Sequence, residues 1–224
     1  MSAFTKAAVA LLGSVLGATA CNAKAKPSVA IPAPAVDAPR ASMTVKQTAV
    51  LSGGCFWGVQ AVFQHVKGVI SATSGYSGGP AKAAEYEMVS TGETGHAESV
   101  EIVYDASQIT YGELLRVFLS VAHDPTELNR QGPDQGTQYR SAIFYNSDEQ
   151  KRIAEAYIQQ LGAGKIFARK IVTQVVPLQA FYPAEAYHQN YAALHPNQPY
   201  IIFNDAPKVD HLKQEFPDLY KGTD

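Results

Sequence analysis

Gln47-Thr48-Ala49-Val50-Leu51-Ser52-Gly53-Gly54-Cys55-Phe56-Trp57-Gly58-Val59 is the stretch on which the fold turns. Gln47 to Leu51 is a short β-prone run that Gly53-Gly54 interrupts. From Cys55 a helix is expected to about His65, with Phe56, Val59, Val62 and Phe63 spaced along one face. A strand entering a helix through Gly-Gly places Cys55 at the first helical turn. Unpaired backbone N–H groups and the positive dipole end favour a thiolate there and lower its pKa. Free cysteine is also among the most commonly buried residues, so position alone reads equally as nucleophile or inert core thiol. Phe56 and Trp57 read first as core, with a substrate pocket as the alternative.

Outward from this junction, Val69 to Tyr76 reads as a strand ending in the loop Ser77-Gly78-Gly79-Pro80, and Ser99 to Tyr104 as an alternating strand. Thr110 and Glu113 form a capping-box pattern before a helix carrying Leu114, Leu115, Phe118 and Val121. A long loop, His123 to Gln138, follows, and a loop of that length suggests function. Ser141 to Tyr145 is a further strand. Ser147 and Gln150 open a helix that Gly162 is expected to stop. Ile171 to Val176 reads as a strand and Ala184 to Leu194 as a helix. Short strands alternating with amphipathic helices predict an α/β (α+β) fold, a two-layer plait with a ferredoxin-like β-α-β core plus extensions.

The N-terminus has a different character. Residues 1–20 have a positive start, an apolar Ala/Leu/Val run and a small-residue end, the pattern of a secretory signal. Ala18-Thr19-Ala20 before Cys21 matches a bacterial lipobox, although Leu is commoner at the position of Ala18. Lipidation of Cys21 is therefore expected, with simple cleavage as the alternative. Residues 21–44, rich in Ala, Pro, Lys and Ser, read as a flexible tether reaching about 60 Å if extended. Residues 45–224 then have the size of one ordinary domain, expected to be monomeric, exported to the periplasm and held to a membrane only through the lipid. The net charge of −2 argues against nucleic acid as a partner. With Cys21 set aside, one unpaired thiol is left in an exported chain, a candidate for reactivity.

Glu98 shares strand parity with Val100 and Ile102, so its carboxylate leans toward the apolar face. There its pKa would rise and it could act as a general acid. The residues alone favour the plainer reading, a strand-edge Glu facing water. His96-x-Glu98 lacks the downstream Pro-Cys-x-x-Cys of zinc deaminases, and the six histidines show no paired ligand spacing, so no metal is expected. Gly75 to Gly79 lacks the residues of a phosphate-binding loop, and no nucleotide is implied. Asp134 and Tyr139 lie in a Gly-interleaved polar loop that reads equally as a binding loop or a solvated one.

Together, GCFWG at 54–58, GYSGG at 75–79, TGHAE at 94–98, HDPTELNRQGPDQGTQYRS at 123–141 and FYPAEAYHQNY at 181–191 resemble the methionine sulfoxide reductase A family. The resemblance covers most of residues 45–220. It implies an α/β plait with Cys55 as nucleophile, Glu98 as acid, and Tyr86 and Tyr139 as hydrogen-bond donors to the sulfoxide oxygen. Phe56 and Trp57 would form the substrate-methyl pocket, and Asp134 a polar substrate contact. The implied substrate is the S epimer of methionine sulfoxide, free or in proteins, and the implied intermediate a Cys55 sulfenic acid. Residues 200–224 hold no resolving cysteine. No bound cofactor is expected, and an external thiol, a thioredoxin-like protein or a small dithiol, must regenerate Cys55. Ala186 departs from a commonly acidic position. A cysteine hydrolase has no local signature here, and a tethered module binding oxidised or apolar peptides is the remaining alternative.

Overall fold

The computed structural model describes residues 31–222; the signal pattern of residues 1–20 and Cys21 lie outside them. The elements run β1 (Lys46–Ser52), α1 (Phe56–Gln64), β2 (Val69–Ser77), α2 (Tyr86–Val89), β3 (Ala97–Asp105), α3 (Tyr111–Val117), β4 (Arg130–Gln131), β5 (Asp134–Gln135), β6 (Ala142–Tyr145), α4 (Asp148–Ala163), β7 (Gln174–Pro177), β8 (Phe181–Pro183), α5 (Tyr191–Leu194) and α6 (Ala206–Glu215). One sheet carries the order β7-β6-β1-β3-β2-β8. Its four inner strands are antiparallel neighbours, β3 lying between β1 and β2 and β6 flanking β1. With α1 and α3 as crossovers, this is the expected ferredoxin-like plait. The extensions are β7, parallel to β6, and β8, antiparallel to β2.

Strand alternation sorts the side chains into two layers. Ala49, Leu51, Val100, Ile102 and Tyr104 join α1, α3 and α4 in the main core. Val50, Ala97, Ala142 and Phe144 form a small second cluster on the opposite face. Nearly all of α1 is buried, which explains its polar Gln60. The Gln60 amide donates to Ala72 O and Gln189 Oε1, both at 3.0 Å, and accepts from Asn190 N–H at 2.9 Å. A buried amide so paired avoids the cost of unmet hydrogen bonds.

The Thr110–Glu113 capping box forms in both directions, and α3 passes directly into a π-helical turn, Phe118–Ala122. Three expectations need correction. Gly162 does not stop α4, which runs through Ala163 to a C-cap at Gly164, with the left-handed turn at Lys165 (φ 48°). Ile171 to Thr173 lie outside β7, because Val172 N–H is committed to Pro125 O and the Thr173 hydroxyl to Ser141. The helix expected over 184–194 is broken into a 3-10 turn, Ala186–His188, and the single turn α5. Gln189 causes the break: its side chain pairs with both Ser74 N–H (3.0 Å) and Ser74 O (2.9 Å) as a strand edge would, and Asn190 follows at φ 57°. No described helix is long and apolar enough to cross a membrane.

The tether reading meets a different arrangement over residues 31–44. This segment has no regular secondary structure, yet it is tied down along its length. Ile31 is buried in the main core, Pro32 O accepts from the Tyr157 hydroxyl at 2.6 Å, and Gln160 bonds Ala33 O and Ala35 N–H. Asp37 then docks on the N-terminus of α3, accepting from Gly112 N–H at 2.8 Å and from the Thr110 hydroxyl. Gly112 is required there, because a Cβ would collide with that carboxylate. Arg40 continues the contact to Glu113 at 2.7 Å. Asp37→Ala removes a partner from an orphan helix-end donor and is expected to cost about 1 kcal/mol, read as a lower urea midpoint with an unchanged m-value.

Candidate active site

Cys55 sits at the N-cap of α1, 7 % exposed, behind Gly54 at φ 85°. That positive φ, together with the Gln131 side chain packed where a Cβ would stand, restricts position 54 to glycine. Behind Gly53 the buried His123 ring bridges Phe118 O at 3.0 Å and Ser141 Oγ at 2.6 Å. Burial lowers its pKa to about 4, so it is a neutral strut rather than a base.

Glu98, on β3, is 3 % exposed, and its Oε2 accepts the Phe56 N–H at 3.0 Å. The strand-edge reading fails: parity with Val100 and Ile102 carries the carboxyl inward, to the first turn of the cysteine's own helix. Burial raises its pKa to about 8, against the Phe56 bond, which lowers it; Asp134 and Asp205 raise it further.

The lowered thiol pKa expected from the helix end is not found. Burial raises Cys55 well above its ordinary value, Glu98 and Asp205 add to that, and the Trp57 amide and Lys208 oppose it without prevailing. Cys55 therefore rests as a neutral thiol.

The remaining sequence candidates gather around this pair. Tyr86 opens α2, its backbone N–H held by Glu185 at 2.8 Å. Tyr139 ends a 3-10 turn whose neighbours pin it down: Thr137 donates to Gly92 O (2.6 Å), Gln138 to Ser90 O (3.0 Å) and Arg140 to Gly95 O and His96 O. Burial raises both phenols above their usual pKa, with Glu98 and Cys55 adding to it, so both remain hydrogen-bond donors. Asp134, on β5, accepts from the Tyr200 hydroxyl. Phe56 is wholly buried, 5.8 Å from the Tyr76 ring and 5.1 Å from that of His188. Trp57 is half-buried and stacked 3.8 Å from Tyr191.

Tyr200, Tyr191, His188, Asp205 and Lys208 belong to this region, and no sequence expectation named them. Tyr200 and Lys208 line, with Cys55 and Asp134, a cavity of about 690 Å³ that extends to Phe167 and Phe203. Asp205 is fully buried, pairs with Lys208 at 3.1 Å and packs on Gly58. The signal that could have flagged two of them is the spacing of His188 and Tyr191 within FYPAEAYHQNY.

A neutral thiol, a carboxyl whose pKa burial raises and two phenols are gathered around one helix N-terminus. The peptide methionine sulfoxide reductase family model matches residues 47–220. The chain is 61 % identical over 174 residues to "Peptide methionine sulfoxide reductase MsrA 2" of Mesorhizobium japonicum, covering 78 % of this chain and 89 % of that one. A Synechocystis protein of the same description is 51 % identical over 197 residues, covering 87 % and 92 %. Among solved structures, methionine sulfoxide reductase A of Corynebacterium diphtheriae aligns with a TM-score of 0.60 at 34 % identity, covering 78 % of this chain and 87 % of that one. The chain belongs to the peptide methionine sulfoxide reductase family.

The raised pKa of Glu98 carries a stability signature. Below about pH 4 the carboxyl is neutral in folded and unfolded chains alike. From there to about pH 8 it ionises more readily in the unfolded chain, so the folded state loses stability as pH rises. Glu98→Gln removes this loss. It is expected to raise the melting temperature at pH 8 by about 3 °C or more and to leave it unchanged near pH 4, read by calorimetry.

Proposed function

We propose that this chain reduces the S epimer of methionine sulfoxide, free and within proteins, through the Cys55 sulfur and the Glu98 proton. The observation that carries this reading is the Phe56 N–H to Glu98 bond, which puts a protonated acid at the start of the cysteine's own helix.

A sulfoxide sulfur is a weak electrophile until its oxygen gains a proton or strong hydrogen bonds. Glu98 gives that proton, with Tyr86 and Tyr139 donating to the same oxygen, as the Cys55 sulfur bonds to the substrate sulfur. Glu98 regains a proton from the Cys55 thiol. The new S–S bond and the substrate S–O bond then break and the oxygen ends on Cys55, so the substrate sulfur gains two electrons and Cys55 loses two. The products are a thioether and a Cys55 sulfenic acid. One external thiol then forms a mixed disulfide with Cys55 and expels water. A second releases Cys55 and leaves as an external disulfide. A thioredoxin-like protein or a small dithiol supplies both thiols, because residues 200–224 contain no cysteine.

Phe56 and Trp57 supply an apolar pocket for the S-methyl group, and Asp134, held by Tyr200, a polar contact. With the export pattern of residues 1–21, the reading extends to a monomeric repair enzyme for exported proteins, tethered in the periplasm by a lipid on Cys21. The alternative, a tethered module that binds oxidised peptides without turnover, has no use for a buried acid beside a thiol.

With dithiothreitol as reductant, the purified domain is expected to convert the S epimer and spare the R epimer, measured by chiral chromatography. Cys55→Ser abolishes conversion, and Glu98→Gln slows it roughly 10²–10⁴-fold. Turnover falls above about pH 8 as Glu98 ionises. Stoichiometric binding of sulfoxide peptide with no thioether formed would overturn the enzyme reading. Intact mass of the mature protein tests the export reading: a diacylglyceryl adduct on Cys21 supports it, and an unprocessed Met1 sinks it.

A further inference from the structure

His188 stands where the two aromatic walls of the site meet. It is 2 % exposed, with its ring 4.4 Å from Tyr86, 4.2 Å from Tyr187, 5.1 Å from Phe56 and 5.8 Å from Trp57. The Trp57 indole N–H lies 3.2 Å from His188 Nδ1. An indole nitrogen only donates, so Nδ1 is the acceptor and the ring proton sits on Nε2. That Nε2 is buried and has no partner in the protein. The hydrogen bond therefore requires a neutral His188. A second ring proton would go to Nδ1, where it meets the indole N–H donor to donor.

Trp57 has two other supports, and neither fixes the direction of its N–H. Tyr191 stacks on its face at 3.8 Å with the planes 9° apart, and Tyr200 meets it edge-on at 5.9 Å. A stacked ring can still turn in its own plane. Among the described contacts, His188 alone supplies a directional bond to the indole. The position of His188 is itself set by the broken helix, in which the 3-10 turn Ala186–His188 ends where Gln189 joins β2.

We propose that His188 is a positioning residue that orients Trp57 as the wall of the substrate-methyl pocket, and that its protonation releases this wall. The proposal rests on the reductase reading for its kinetic part only. Few charges face the ring. α1 contributes Phe56 and Trp57, both uncharged, and α2 contributes Tyr86, whose phenol burial keeps neutral. On the same segment lie Tyr187, also neutral, and Glu185, whose carboxylate is engaged by the Tyr76 hydroxyl (2.9 Å) and the Tyr86 amide. Burial moves His188 below its ordinary value, against the pull of Glu185, so the release belongs to the acid side of neutrality.

Trp57 is the only tryptophan in the chain, so its emission reports on this bond without ambiguity. The test uses the wild-type protein, His188→Phe, which keeps an aromatic ring and loses the acceptor, and His188→Asn, which keeps an acceptor and cannot titrate. Emission is followed from about pH 8 to about pH 5, and KM and kcat for an S-sulfoxide peptide are measured with dithiothreitol. The wild type is expected to show one acid transition in emission, accompanied by a rise in KM with little change in kcat. His188→Phe shows the released emission at every pH and a KM raised roughly 5- to 10-fold, the worth of one hydrogen bond. His188→Asn restores emission and KM toward wild type at pH 8 and loses the acid transition. Flat wild-type emission overturns the proposal, as does a transition that persists in His188→Asn. An emission transition without any sulfoxide turnover would count against the reductase reading and leave the Trp57–His188 bond standing. Circular dichroism of each variant separates a lost wall from a lost fold.

Discussion

The bond from Phe56 N–H to the Glu98 carboxyl joins the start of α1 to a central strand of the sheet, and the site is organised around it. Helix starts leave N–H donors unpaired. A carboxyl from β3 fills one such vacancy. The same carboxyl is buried and needs a donor, so each group removes the other's desolvation cost. The bond forms only because β1 turns into α1 within two glycines, one with positive φ, which brings the first helical turn down over β3. The 3-10 turn bearing Tyr139 and the short helix opened by Tyr86 close over the same point.

Burial decides the charge state of the site. A helix N-terminus stabilises an adjacent anion by roughly 0.3–1 kcal/mol, up to about 2 in partly buried geometry. Removing a thiolate or carboxylate from water can move its pKa by roughly 3–5 units, which is larger. Cys55 and Glu98 are both pushed toward their protonated forms, and the cation on Lys208 is largely spent on Asp205. The helix end thus serves geometry more than acidity. It holds the sulfur in place and presents an amide to the acid.

The parts of the fold with local causes were legible in the sequence. β1, α1, β2, β3 and α3 announce themselves by alternation, by a helical face and by a capping box that forms as read. The failures have distant causes. Residues 184–194 have helical spacing, but Gln189 is drawn to the edge of β2, a partner 115 positions away in sequence. The Pro/Ala-rich stretch 31–44 has no periodicity because it forms no helix or strand; its order comes from Asp37 at α3 and Pro32 at Tyr157. The inward turn of Glu98 was visible as strand parity, but its burial was not, since that depends on α1 crossing above it. Five separated motifs supplied what spacing could not, the family to which the chain belongs.

A neutral, largely buried Cys55 bears on how long the thiol survives. Peroxides and metal ions attack thiolates far more readily than thiols, and an exposed thiolate in an oxidising compartment is consumed while it waits. Here the waiting form is shielded twice, by its proton and by its 7 % exposure. The burial that keeps the proton on the sulfur is also what keeps oxidants away from it.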